Sequence, residues 1–412
     1  MTDFFRFLGG ALFLALASLT TVPASTRTMW HATLAVTEFG YLIAFAALLP
    51  LIPTRRGNLL GKLGALLSFC AVALMVFPVI RAVQMSSELP GVFDRRFGAE
   101  RRVRNDYAEE AGREPLVLKH LFKPVQSREI RFEERVFASS DGYKLTLDVY
   151  RPGYEHGAIP GVLVVHGGTW QNGNNSEGIA LNAYLAARDH VVIAMNYRLA
   201  PQWPFPAARD DVLSAIAYIK TYASEIGVDS TRLALVGRGG GGQLALLAAY
   251  TAGEPAIRGV VSMYGPTDLK FGYENPAPPG LVDTRAVLES YLGGAPSAAE
   301  DVYYAASPIN FVTPASPPTL LIHGALDGVV SPQESARLEE KLMQAGVKHL
   351  FLRLPWATHE CDRSFGGPCG QIATYAIERF LDSVLIKPAA PAAPAVRQAR
   401  GKRASAERRG RT

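Results

Sequence analysis

The stretch "RLALVGRGGGGQLALLAAY", residues 232–250, decides the fold. Its first residues form an apolar run that predicts a buried strand, and its last residues predict an apolar helix. Consecutive glycines from Gly239 to Gly242 join the two and allow a very tight turn. In sheets built from strand-helix units, functional loops lie at the carboxyl ends of the strands. The meaning of this turn therefore depends on the residues at the ends of the neighbouring strands.

Strand-like and helix-like segments alternate from residue 128 to residue 386. A hairpin is predicted around "SDG" at 140–142. Further strands are predicted at 161–166, 190–196, 232–236, 257–263, 319–323 and 348–354, and helices at 176–188, 207–225, 241–251, 332–345 and 370–385. The predicted fold class is α/β, with a mainly parallel, eight-stranded sheet covered by helices on both faces.

Three of the predicted strands are followed by residues that carry chemistry. "HGGTW" at 166–170 offers backbone N–H groups that can converge on an oxyanion, although a plain glycine turn is the alternative. Asp327 and His359 each follow a later strand. Taken singly, a loop Asp is a common turn former and a loop His indicates little. Together and in this order, they match the acid and base of a hydrolytic triad.

With these motifs in place, residues 128–386 resemble the α/β-hydrolase superfamily. The closest resemblance is to bacterial esterase/lipase-type carboxylesterases of the hormone-sensitive-lipase and feruloyl-esterase-like groups. The matching motifs are "HGGTW" (166–170), "NYRLAP" (196–201), "FPAARDDV" (205–212), the elbow at 232–250, "YGPTDL" (264–269), "HGALDGVV" (323–330) and His359. The resemblance implies that Gly167, Gly168 and Gly240 donate to the oxyanion, that Asp327 orients the base and that His359 is the base. It also implies a cap over the pocket at about 266–315.

One position departs from the family pattern. Where these hydrolases have G-x-S-x-G, this chain has Gly237 to Gly241, with Gly239 at the nucleophile position. A glycine cannot attack a carbonyl, so we expect an inactive or severely impaired esterase that still binds acyl or ester ligands. The alternative is an active hydrolase in which His359 activates a water molecule. The substitution is either natural or engineered, and both origins stay open.

The first 81 residues predict a membrane region. Segments 31–53 and 63–80 are about long enough to cross a bilayer of roughly 30 Å, with a buried helical hairpin as the alternative. Segment 4–22 is either a third span or a signal-peptide core. Arg55, Arg56 and Lys62 lie between the later two segments, and short basic loops stay cytoplasmic. This predicts a bacterial inner-membrane protein with a periplasmic hydrolase domain, although the arginines just after the last span (Arg95, Arg96, Arg101, Arg102, Arg104) favour the opposite orientation.

Residues 82–127 are predicted to be a polar, partly helical stalk, either resting on anionic headgroups or forming a solvated helix. Residues 387–412 are predicted to be a disordered basic tail. Much of the formal net charge of +5 lies in these two segments, which argues against a nucleic-acid partner. The expected partners are a small-molecule ester or acyl ligand and membrane lipids.

No cofactor is predicted, and the chain's three cysteines match no zinc motif. Cys361 and Cys369 are expected to form a disulfide if the domain faces an oxidising compartment. A dinucleotide site at "GRGGGG" is the remaining alternative, but no acidic residue ends a strand some twenty residues later.

Overall fold

An eight-stranded sheet forms the centre of the molecule. The computed structural model describes residues 2–52, 58–98, 114–123, 129–140 and 142–386. The strands are β1 (Ile130–Ser140), β2 (Tyr143–Pro152), β3 (Ile159–Val165), β4 (Val191–Met195), β5 (Val228–Arg238), β6 (Ile257–Met263), β7 (Thr319–Gly324) and β8 (His349–Leu354). Their order across the sheet is β1-β2-β4-β3-β5-β6-β7-β8. The predicted hairpin and all six predicted apolar strands are present.

Strand direction explains where the functional loops meet. β1 pairs antiparallel with β2, and β2 pairs antiparallel with β4, whereas every pair from β4 to β8 is parallel. In the parallel part, Val165 of β3 lies opposite Gly237 of β5. The loops after β3, β5, β7 and β8 therefore leave the same edge of the sheet.

Helices cover both faces of the sheet, and the strands between them are buried on both sides. These helices are α4 (Ile179–Ala186), α5 (Ala207–Thr221), α6 (Ala223–Ile226), α7 (Gly240–Thr251), α8 (Leu269–Glu274), α9 (Thr284–Leu292), α10 (Pro296–Ala306), α11 (Pro332–Gln344) and α12 (Pro368–Leu385). One apolar core includes Ile219 and Leu244, and a second on the other face includes Leu185 and Phe380. The three helices α8, α9 and α10 lie in the predicted cap insertion.

Among the described residues, three helical stretches before the sheet are long and apolar enough to cross a membrane: Thr2–Thr20, Arg27–Leu51 and Leu59–Phe97. Their α-helices are α1 (Thr2–Ala17), α2 (Arg27–Ala47) and α3 (Leu59–Phe97). Two of them begin with a side-chain cap, which satisfies an otherwise unpaired amide of the first turn. Thr26 accepts from the amide of Met29 at the start of α2, and Asn58 accepts from the amide of Gly61 at the start of α3.

The last part of α3 corrects the stalk prediction for residues 82–97. These residues continue the helix, and Phe93 and Phe97 are buried in the core that also holds α12. The Phe97 and Phe380 rings lie 5.3 Å apart, edge to face, and Arg379 pairs with Asp94. The charges that suggested a stalk occupy the exposed side of the helix, between two phenylalanines that are four residues apart. Other predictions, on Arg55 and Arg56, on residues 99–113 and 124–127 and on the tail at 387–412, lie outside the described residues.

Candidate active site

The glycine-rich turn between β5 and α7 is a sharp elbow centred on Gly239. Its backbone angles are φ 50° and ψ −121°, a region that side chains rarely adopt. The surrounding glycines are required by close backbone approach. A Cβ on Gly237 would lie 2.1 Å from the carbonyl oxygen of Gly241, and a Cβ on Gly241 would lie 2.2 Å from the carbonyl oxygen of His166. The sequence therefore folds tightly enough to present position 239 at the edge of the sheet.

Asp327 and His359 form a buried hydrogen-bonded pair. The Nδ1 of His359 lies 2.7 Å from the Oδ2 of Asp327. The other carboxylate oxygen of Asp327 accepts from the amides of Val329 and Val330 at 2.8 and 2.9 Å. This leaves the Nε2 of His359 as the ring nitrogen free to act as a base. The structure thus brings these two residues together.

The charges of the pair shift both pKa values. Burial alone would raise the pKa of Asp327, but the neighbouring His359 and His323 hold that pKa well below its usual value. Burial alone would lower the pKa of His359, but the charge of Asp327 and the hydrogen bond to it raise that pKa above its usual value. The imidazole is therefore held as a stronger base than a free histidine.

The base points at the glycine of the elbow. A Cβ built on Gly239 would lie 3.9 Å from the Nε2 of His359, and its next neighbours would be Gly167 and Tyr264 at 4.0 Å. These are ordinary van der Waals distances, so a hydroxymethyl group fits without a clash. One bond further along, a hydroxyl oxygen would come within the roughly 2.6–3.2 Å that proton transfer to a base requires.

The predicted oxyanion donors surround the same point, but one of them is occupied. Gly168 has φ 98°, and a Cβ there would lie 2.1 Å from the carbonyl oxygen of Asn172, so only glycine fits. Within the described part of the chain, no acceptor takes the amides of Gly168 and Gly240. The amide of Gly167 instead donates to the carboxylate of Glu177 at 3.2 Å. Two of the three predicted donors are thus free, and Glu177 competes for the third.

Comparison of this structure with solved structures identifies the fold. A hyperthermophilic esterase from the archaeon Pyrobaculum calidifontis aligns with a TM-score of 0.56 and 22% identity, over 74% of this chain and 97% of that one. A bacterial heroin esterase aligns with a TM-score of 0.56 and 21% identity, over 66% of this chain and 89% of that one. The fold is that of the α/β-hydrolases. The part of the chain from β1 to α12 is called the hydrolase domain below.

Sequence comparison also finds similarity to esterases. The family described as BD-FAE matches residues 147–342. Esterase LipC of Mycobacterium tuberculosis is 31% identical over 244 residues, which cover 55% of this chain and 58% of that protein. The ethyl acetate hydrolase of Pseudomonas putida is 42% identical over 112 residues, which cover 26% of this chain and 35% of that protein. The aligned part of this chain thus spans less than two thirds of each relative, and the activity of the whole protein is taken up below as a proposal.

Several residues of the site were missed by sequence reasoning. Arg238, directly before the elbow glycine, forms an ion pair with Asp362, and the hydroxyl of Tyr264 donates to the same carboxylate at 2.7 Å. These contacts tie the elbow to the His359 loop. His323 is a second partner of Asp327, at 3.1 Å, and its four-residue spacing from Asp327 was the available signal.

The loop that carries His359 is fastened at its other end by a disulfide. Cys361 and Cys369 are bonded, which joins this loop to the first turn of α12, as the sequence hypothesis proposed. The only other cysteine of the chain, Cys70, is free and exposed on α3. Among the described residues, no cluster of three His, Cys, Asp or Glu side chains could hold a metal ion.

A cavity of about 930 Å³ opens in front of Gly239 and His359. Part of its wall comes from the predicted cap, through Leu281 and Val287, and part from the loop after β7. One further part of the wall was not predicted, because it comes from the start of α2, far away in the sequence: Arg27, Trp30 and His31. The site therefore combines a hydrolase pocket with a piece of the membrane region.

Proposed function

We propose that this protein is a membrane-anchored member of the carboxylic-ester hydrolases that binds ester or acyl ligands but turns them over poorly or not at all. One observation carries the proposal: His359, held by Asp327, faces Gly239 through its Nε2, and a hydroxymethyl group would fit between this base and the elbow. A base and two free oxyanion donors form a site that can still recognise an ester without a nucleophile.

Binding follows from parts of the site that do not depend on a nucleophile. The free amides of Gly168 and Gly240 can donate to the carbonyl oxygen of an ester, and the apolar side chains of the cap can hold its acyl group. A serine hydrolase that lacks its whole triad keeps roughly 10³–10⁴-fold acceleration over water from such contacts. Weak residual hydrolysis is therefore compatible with this function.

A second candidate is an esterase that uses water in place of serine. It is favoured by the free Nε2 of His359, whose pKa is raised by Asp327, and by the space beside Gly239. In that route His359 takes a proton from water while the resulting hydroxide attacks the ester carbon, and the protonated imidazole then returns the proton to the leaving alkoxide. No covalent intermediate forms.

Hydrolysis by the parent chain separates the two candidates. Short and medium acyl esters are offered to the full-length protein and to His359→Ala. A residual rate that is lost in His359→Ala favours the water route, whereas a residual rate unchanged by that substitution favours a ligand-binding protein. Tight binding of a non-hydrolysable ester analogue by both variants supports the proposal, and its absence from both would contradict it.

We further propose that the hydrolase domain lies on the periplasmic side of a bacterial inner membrane. The amide of Asn58, beside the basic loop, donates to Asp3 at the start of α1, so these segments share one end of the helical region. The end of α3 that packs on α12 lies at the other end. Short basic loops stay cytoplasmic, so this arrangement supports a periplasmic domain. Protease accessibility of the domain in sealed inverted vesicles tests it.

A further inference from the structure

The start of α2 contacts both loops that carry the acid and the base. We define the rim segment as residues 24–31, which lead into α2 and form its first turn. Ala24 lies against Gly328, the residue after Asp327, so closely that a Cβ on Gly328 would lie 2.6 Å from the carbonyl oxygen of Ala24. At the other end of the rim segment, the indole N–H of Trp30 donates to the backbone carbonyl of His359 at 3.1 Å.

Further hydrogen bonds fasten the rim segment to the cap. The amide of Arg27 donates to the carbonyl of Gly280 at 3.1 Å, and its guanidinium donates to the carbonyl of Leu281 at 3.2 Å. The segment is thus held against the cap, the Asp327 loop and the His359 loop at once. The rest of α2 is a candidate membrane span. The rim segment is therefore continuous in sequence with the membrane anchor, and it also lines the cavity of the site.

Trp30 is the residue of the rim segment that contacts His359. Its ring lies 6.1 Å from the His359 ring, it is half-buried and it lines the cavity. The loop that carries His359 is also held by the ion pair of Asp362 with Arg238 and by the disulfide at Cys361. The indole N–H of Trp30 adds a hydrogen bond to the carbonyl of His359 itself, whose imidazole must keep its geometry to Asp327.

We propose that Trp30 is a positioning residue for His359, so that the membrane anchor is a working part of the site and not only a tether. This inference rests on the proposed function for its kinetic readout. Losing one neutral hydrogen bond at this position should lower turnover about 3–10-fold, which corresponds to about 0.6–1.4 kcal/mol and lies within the contribution of such a bond. The imidazole should also titrate at a lower pH, because its contact with Asp327 loosens.

The test uses the full-length chain in nanodiscs and compares Trp30→Phe with Phe45→Ala. The first substitution keeps an aromatic ring but removes the donor. The second is the matched control, because Phe45 lies on the same helix, is 64% exposed and does not line the cavity. In a Gly239→Ser background, Trp30→Phe should lower kcat about 3–10-fold for a short soluble ester and leave KM nearly unchanged, whereas Phe45→Ala should change neither.

A second measurement needs no turnover. In the parent chain, the pKa of His359 is followed by NMR of the labelled imidazole, and Trp30→Phe should lower it while Phe45→Ala should not. If Gly239→Ser hydrolyses esters and Trp30→Phe matches the control in kcat and in the imidazole titration, the positioning role is refuted. If Gly239→Ser is inactive, the proposed function fails, and the imidazole titration alone still decides the role of Trp30.

Discussion

Restoring a hydroxyl at the elbow should convert the site into a working esterase. In Gly239→Ser the new Cβ would lie 3.9 Å from the Nε2 of His359 and, apart from its two chain neighbours, would meet no atom closer than that. Loss of a complete triad costs a serine hydrolase about 10⁶-fold in kcat, which sets the upper limit of the gain. Because Glu177 holds one oxyanion donor, and one such donor is worth about 10²–10³-fold, we expect a gain of about 10³–10⁴-fold.

The same substitution should cost stability. The backbone of residue 239 has a positive φ, and a side chain in such a conformation costs about 1–3 kcal/mol. The free energy of unfolding, measured by denaturant titration in detergent, should fall by that amount. A loss well above this range would indicate a steric clash that the 3.9 Å distance does not show.

The assay follows hydrolysis of a panel of short and medium acyl p-nitrophenyl esters by the purified full-length chain. Gly239→Ser combined with His359→Ala is the control, and it should return to the parent rate because the new hydroxyl loses its base. A folded Gly239→Ser variant that is no faster than the parent on any ester would refute the reasoning. The reasoning would also be refuted if Gly239→Ser combined with His359→Ala kept the higher rate of Gly239→Ser.

Three further outcomes follow from particular contacts. In Gly239→Ser, a pH-rate profile of kcat/KM should rise with pH through a midpoint above about 6.5, because the imidazole must be neutral to act and Asp327 raises the pKa of His359. Adding Asp327→Asn should lower both the midpoint of that profile and the rate. In the same background, Glu177→Ala should raise kcat, by up to about 10²–10³-fold, since it frees the amide of Gly167. A fall in kcat would show that the carboxylate instead holds the loop in place. Phe93→Ala should lower the free energy of unfolding by about 3–5 kcal/mol, because its ring is fully buried beside α12, and a loss below 1 kcal/mol would restore the stalk interpretation.

Local patterns in the sequence were enough for most of the hydrolase domain. The predicted helix at 241–251 is observed at Gly240–Thr251, and that at 370–385 is observed at Pro368–Leu385. Short apolar runs bounded by turns specify buried parallel strands, and motifs at strand ends specify where chemistry collects. Asp327 and His359 were found in this way, because each follows its own strand.

The parts that sequence reasoning missed depend on contacts between distant segments. The hydrogen bond from Trp30 to His359 spans 329 positions, and no pattern in a single sequence encodes it. Glu177 lies ten residues after Gly167 in a loop without periodicity, so its return to that amide could not be read from spacing. The end of α3 was misjudged for another reason: in an amphipathic helix, composition averages the buried Phe93 and Phe97 with the charged residues between them.

We propose that position 239 lacks only a hydroxyl beside its base, and that a serine there completes the nucleophile and base of a serine hydrolase. Labelling with a fluorophosphonate tests it most directly, because this reagent phosphonylates only a hydroxyl that an adjacent base activates. We expect Gly239→Ser to take up one equivalent, mapped by mass spectrometry to the peptide that contains position 239, while the parent chain and Gly239→Ser combined with His359→Ala take up none. Stoichiometric labelling of the parent chain, or no labelling of folded Gly239→Ser, would contradict the account.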